Sequence, residues 1–346
     1  MERIRRHHLF WPLMVLAALL LFNLLYDPDF FRIQMRDGAL YGSLIDILFF
    51  GSPLALVAIG MTLVIATRGI DLSVGSVVAI SGAIACLTIS KGADQNDPSL
   101  VLAAVGLALA ASALLGLWNG FLVTRAGIQP IVATLILMVA GRGIAQLITS
   151  GQIITVISPN YEIIGGGALL ALPVSVYIVA LVFLLAVFLT RKTALGLFIE
   201  SVGCNPTASR LAGIRSDTVR LFAYLFCGLC AGMAGLILSS NVSSADGNNA
   251  GLWYELDAIL AVVIGGTSLN GGRFFLTGTL LGVLIIQTLT TTIYMTGVPP
   301  EITLVVKAVV VLAVCLVQSE SFRRKLVHSL ATARSQPVER EVTPRG

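Results

Sequence analysis

Residues 68–76 read RGIDLSVGS, placing a guanidinium, a carboxylate and two glycines between two long apolar runs. Charge at such a position either caps a solvent-facing turn or marks a break inside a membrane. Asp71 suits the N-cap of the helix that follows, accepting from the amides of Leu72 to Val74. Gly69 suits the left-handed position just past the helix that precedes. The other reading is that Gly69, Asp71 and Gly75 let helices approach closely beside a path through the bilayer. The residues leave both open.

Four more ionisable residues, Asp46, Arg142, Asp257 and Lys307, fall in the outer halves of apolar runs. Pairing Arg142 with Asp46, and Lys307 with Asp257 or Glu255, would keep them satisfied; the alternative is a charged outer mouth. Asn119 with neighbouring Trp118, Gln146, and the segment Asn248, Asn249, Trp253 offer amides and rings suited to a polyhydroxylated solute. The same residues also fit helix-joining amides and interfacial aromatics.

Other chemistries find little support. CGLC (Cys227, Cys230) has the C-x-x-C spacing but lies in an apolar stretch with no cation nearby, which favours packing over redox work. The three histidines are terminal, and no paired carboxylates or metal-ligand cluster mark an enzyme. None of the four lysines follows a glycine, so the chain has no P-loop and binds no nucleotide cofactor of its own. The cations are scattered, without a basic face for nucleic acid.

The positioning elements are membrane helices. Of 346 residues, 56% are hydrophobic and 12% charged, about half the charged share of a soluble domain; the mean hydropathy is +0.92. Runs near 9–26, 44–67, 72–90, 99–124, 128–149, 169–190, 219–240, 252–269, 274–296 and 302–318 match the length needed to cross a bilayer. The expected fold is all-α, with about ten spans in a 1–320 transmembrane domain and a disordered tail over 321–346. The eighth run is short and ends in GGTSLNGG, so a tilted or re-entrant segment fits it as well. With the N-terminus in the cytoplasm, 17 of the 22 Lys and Arg residues lie inside and three outside, which puts both termini in the cytoplasm.

The longest internal cytoplasmic loop, 191–220, contains a helix from about Pro206 to Ala212. Asn205 is its N-cap, Pro206 its first position, and Gly213 the residue past its end. Ala208, Leu211 and Ala212 share one side, with Arg210 elsewhere. So short a helix must dock on the protein's body or in a partner's groove.

Four ordered motifs carry a resemblance: RGIDLSVGS, NGFLVTRAGIQPIVATLILMVAGRG (119–143), ESVGCNPTASRLAGI (200–214) and ELDAILAVVIGGTSLNGGRFFLTGT (255–279). The chain resembles the permease subunits of ribose-type ABC sugar importers, and ADGNNAGLWYELDAILAVVIGG and PPEITLVVKAVVVL resemble the galactofuranose branch. The resemblance implies a non-catalytic, multi-pass subunit in the bacterial inner membrane. Its implied partners are lipid, a second permease subunit, a periplasmic sugar-binding protein and an ABC ATPase subunit that uses ATP and Mg. It also implies that Glu200, Gly203, Asn205, Pro206, Arg210, Leu211 and Gly213 transmit ATP hydrolysis, although Ser201 and Val202 stand where two alanines are usual. The rival is an ion-coupled secondary transporter, against which stand the lack of an internal repeat and the lack of carboxylates in mid-span.

Overall fold

The computed structural model describes residues 9–36, 38–297, 302, 304–309, 312 and 316. The basic N-terminus, all three histidines, Cys315, the 321–346 tail and much of the 302–318 run lie outside them.

Helix α1 (Phe10–Tyr26) leads through a 3₁₀ turn (Pro28–Phe31) to an antiparallel hairpin, β1 (Gln34–Arg36) with β2 (Ala39–Tyr41). Then come α2 (Ser43–Ala66), α3 (Val74–Ser90), α4 (Pro98–Thr124) and α5 (Pro130–Ile148). A connection with β3 (Ile154–Thr155), α6 (Pro159–Gly165) and the two-residue strands β4 (Ala168–Leu169) and β5 (Leu172–Pro173) precedes α7 (Val174–Arg191). The 191–220 loop holds α8 (Leu195–Cys204) and α9 (Pro206–Leu211). Helix α10 (Ser216–Asn241), β6 (Ser244–Ala245, paired with β3), α11 (Tyr254–Ile264) and α12 (Leu276–Met295) follow, and residues 304–309 are helical.

Among the described residues six helices, α2, α4, α5, α7, α10 and α12, are long and apolar enough to cross a membrane. The protein is therefore a mostly helical, multi-pass membrane protein. Two expected spans change. The sixth starts at Val174 because the β4–β5 hairpin occupies its first residues. The eighth is only the 11 residues of α11, about 16 Å at 1.5 Å per residue, or half of a hydrocarbon core.

Helix α2 is the axis. Every residue from Gly51 to Ala66 is buried, which explains why it is apolar on all sides. Helices α7, α10, α11 and α12 pack on it. Only 28%, 28% and 22% of the most apolar stretches of α4, α5 and α7 are buried, so these helices lie on the outside of the bundle. Small residues allow the inner contacts: a β-carbon on Gly116 of α4 would come 2.6 Å from the Tyr224 carbonyl, and one on Gly228 of α10 would come 2.6 Å from that of Ser112. Cys227 and Cys230 are buried free thiols that lie against Gly60 of α2. Buried hydrogen bonds also join helices; Asn23 Nδ2 donates to Thr292 Oγ1 (2.8 Å) and joins α1 to α12.

Candidate functional site

The turn between α2 and α3 is where the sequence and the structure differ most. Helix α2 closes with paired bonds, Arg68 N–H to Ile65 O and Gly69 N–H to Val64 O, both 2.9 Å. The left-handed residue of this closure is Arg68 (φ 63°), not Gly69 as expected. Gly69 is needed for space, since a β-carbon there would sit 2.6 Å from the Tyr224 hydroxyl.

Asp71 is not a solvated cap. It is 1% exposed, and its Oδ1 accepts from Ser73 N (3.0 Å), Ser73 Oγ (2.6 Å) and Asn119 Nδ2 (3.3 Å). The N-cap position of α3 belongs to Ser73, whose hydroxyl also accepts from Asn119 Nδ2 at 2.8 Å. Thr134 Oγ1 of α5 donates to the Ile70 carbonyl at 3.2 Å. Helices α4, α5 and α10 thus wall in a turn that the sequence places in solvent. Trp118, expected beside Asn119, instead stacks on Phe121 and is 51% exposed.

A second group forms where residues 242–253 enter the bundle. A β-carbon on Gly75 would overlap the Gly251 carbonyl and the Glu255 carboxylate, so the start of α11 lies against the start of α3. Arg142 does not pair with Asp46. Its Nη1 donates to the carbonyls of Ala250 (2.7 Å) and Gly247 (3.4 Å), with Glu255 and Asp246 supplying the nearby negative charge. The cause is the inward path of the segment, which brings carbonyls to the guanidinium before any side chain. Gln146 Nε2 donates to Asn248 Oδ1 (2.8 Å), and Asn249 Nδ2 to Asp246 Oδ2 (2.7 Å). Partial burial pushes the Asp246 carboxyl up, but bonds from Asn249 and Asn248 hold it below the ordinary carboxylate range. Trp253 has φ 68°, remains half-exposed, and turns the chain into α11. Two carboxylates are nonetheless buried, Asp71 in the α2–α3 turn and Glu255 (4% exposed) in the first turn of α11, neither of them in mid-helix.

The expected pair of Lys307 with Asp257 is present, Nζ to Oδ2 at 2.5 Å. It borders a cavity of about 590 Å³ that Asp46, Tyr254 and Gln287 also line.

In the 191–220 loop the local chemistry is as read, with one addition. Asn205 Oδ1 accepts from the amides of Thr207 and Ala208 (both 3.1 Å), Pro206 opens α9, and Gly213 has φ 87°. Arg210 bonds Ser216 Oγ and Asp217 Oδ1, both 2.6 Å, and fixes α9 to the start of α10. Glu200 lies 3.8 Å from Arg191. Ala208, Leu211 and Ala212 all face solvent, with Leu211 87% exposed. The addition is α8, which brings Gly203 against the Ala66 carbonyl at the end of α2. Gly272 N–H donates to that same carbonyl at 2.9 Å.

Of the candidates read from sequence, Gly69, Asp71, Gly75 and Asn119 therefore come together. Arg142 and Gln146 bond to the 242–253 segment that carries Asn249 and Trp253, and Gly75 touches both groups. Sequence reasoning missed Thr134 and Tyr224, whose partners are remote in the chain, and Ser73, which joins Asp71 to the distant Asn119; it offered Glu255 only as a partner for Lys307. It also assigned no role to Arg68, although that residue stood in a quoted motif.

A bundle of apolar helices with a buried polar node and a capped surface helix defines an integral, multi-pass membrane protein. The family model described as branched-chain amino acid transport system / permease component matches residues 43–315, and the chain belongs to that family. It is 54% identical over 318 residues to the galactofuranose transporter permease protein YtfT of Escherichia coli (strain K12), covering 90% of this chain and 91% of that one. It is 39% identical to the fructose import permease protein FruF of Bifidobacterium longum (92% and 89% covered) and 40% identical to the ribose import permease protein RbsC of E. coli K12 (85% and 88% covered). No solved structure matches.

Proposed function

We propose that this chain is the non-catalytic permease subunit of an ATP-driven importer that carries a monosaccharide, galactofuranose, across the bacterial inner membrane. The observation that carries the coupling is α9: a helix capped at both ends, tied to α10 by Arg210, with Ala208, Leu211 and Ala212 open to solvent. An apolar side held rigidly in water suits a partner's groove. The chain has no P-loop of its own, so nucleotide and Mg belong to a separate ATPase subunit. The identity of the sugar follows the name of the 54% identical relative.

In this reading the face carrying α9 is cytoplasmic, as are both termini, and the chain makes about ten spans. A second permease subunit, identical or paralogous, completes the path. A periplasmic binding protein meets the outer loops and supplies most of the selectivity. ATP binding closes the ATPases, α9 moves with them, and the helices exchange outward for inward access. Glu200, Gly203, Asn205, Pro206, Arg210, Leu211 and Gly213 serve the coupling. Gly69, Asp71, Gly75 and Asn119 shape the inner part of the path, and Arg142, Gln146, Asn249 and Trp253 the outer part.

The test is uptake of labelled galactofuranose into proteoliposomes holding the permease, with ATPase and binding protein supplied. The expected result is uptake that needs ATP and all three components. Uptake driven by a proton or sodium gradient without the ATPase would refute it and support an ion-coupled carrier, in which the buried Asp71 and Glu255 would carry the ion.

A further inference from the structure

Three segments far apart in sequence meet at one side chain. Arg68 Nε donates to the Asn270 carbonyl and its Nη2 to the Cys204 carbonyl, both at 2.8 Å. Cys204 is the last residue of α8 and immediately precedes Asn205, the N-cap of α9. Asn270 lies in the loop between α11 and α12. The guanidinium therefore sits at the α8–α9 junction, where a helix C-terminus leaves carbonyls without intrahelical partners and favours a cation. Its planar fork can hold two carbonyls at once, which a lysine cannot do in the same geometry.

The backbone makes this arginine unexpected. At φ 63° the position favours glycine, and glycine would close α2 equally well. An arginine held there at a conformational cost signals a task for its side chain. The neighbours are shaped to admit it: a β-carbon on Gly271 (φ 78°) would overlap Arg68 Cγ, and one on Gly203 would overlap the Ala66 carbonyl and the Gly272 amide. Within three residues the same turn reaches inward. The Ile70 carbonyl accepts from Thr134 of α5, and Asp71 from Asn119 of α4.

We propose that Arg68 is a positioning residue that clamps the α8–α9 junction to the α2–α3 turn and the α11–α12 loop, so that displacement of α9 is delivered to Asn119 and Thr134. This rests on the reading of α9 as the ATPase-facing helix. Without the clamp α9 remains capped and docked, but its motion is lost in the loops.

The test uses the complete transporter in proteoliposomes and reads sugar transported per ATP hydrolysed, alongside the amount and thermal stability of assembled complex. Arg68→Gly and Arg68→Asn both accept a left-handed backbone and cannot reach either carbonyl. Both should assemble normally and hydrolyse ATP, yet transport per ATP should fall about tenfold, the scale at which a network residue modulates coupling. Arg68→Lys, able to hold one carbonyl, should fall between them and wild type. Unchanged transport per ATP in the glycine and asparagine variants overturns the clamp. So does a loss of transport that tracks loss of assembled complex in all three, because that marks Arg68 as a folding residue only. Absence of ATP-dependent uptake by the wild type overturns the underlying importer reading, and is seen before any variant is compared.

Discussion

Replacing Asp71 tests whether the α2–α3 turn is a buried node. In Asp71→Ala the Ser73 amide loses its side-chain acceptor at 3.0 Å in a site that is 1% exposed. An orphaned buried donor costs about 1–3 kcal/mol. The Ser73 hydroxyl can rotate, and Asn119 keeps its 2.8 Å bond to it, so these two lose less. The small void adds roughly 1 kcal/mol, for a total of about 2–4 kcal/mol. Asp71→Asn retains an acceptor oxygen toward Ser73 and should cost under about 1.5 kcal/mol, the worth of one hydrogen bond. Thermal unfolding of the purified permease in detergent reads the difference: the alanine variant should melt several degrees below the asparagine variant. The asparagine variant should also keep much of its transport. Equal melting of Asp71→Ala and wild type would refute the burial of the turn. Loss of transport in Asp71→Asn at normal stability would show that the charge itself is used.

Leu211→Asp should leave stability within about 0.5 kcal/mol, as for surface changes generally, because Leu211 touches mainly solvent; it should still abolish ATP-dependent uptake, measured together with ATPase pull-down. Lys307→Ala leaves the partly buried Asp257 carboxylate without its 2.5 Å partner and should destabilise by about 1.5–3 kcal/mol, the worth of a hydrogen bond to a charged group, with much of that recovered in the Lys307→Met/Asp257→Leu double variant. Gly228→Val drives a side chain into the Ser112 carbonyl and should cost about 1–3 kcal/mol or more by overpacking, read as reduced folded yield. Arg142→Ala frees the carbonyls of Ala250 and Gly247, so uptake should fall and protease cleavage within 242–253 should rise; unchanged values of both would dissociate Arg142 from that segment.

Several features were legible because they depend only on neighbouring residues. Asn205, Pro206 and Gly213 delimit α9 within one residue of the expected end, since caps and positive φ are local choices. The long apolar helices follow from length and composition alone, whereas the sequence left Lys307 between Asp257 and Glu255 and only packing selected Asp257. Local rules also misled. They assigned the left-handed position to Gly69, the residue with least strain there, whereas tertiary contacts of the Arg68 side chain outweigh that preference.

The amino-acid order by itself determined that the chain is a helical membrane protein, where most helices run, and that a capped surface helix interrupts the 191–220 loop. Periodicity, hydropathy and capping act over a few residues, so they can be read along a line. Only the tertiary structure decided that RGIDLSVGS is an interior junction, that α11 is just 11 residues long, and that Arg142 serves carbonyls more than 100 residues away. Burial is a property of what packs around a segment, and for this turn the walls are α4, α5 and α10, whose approach no local pattern encodes.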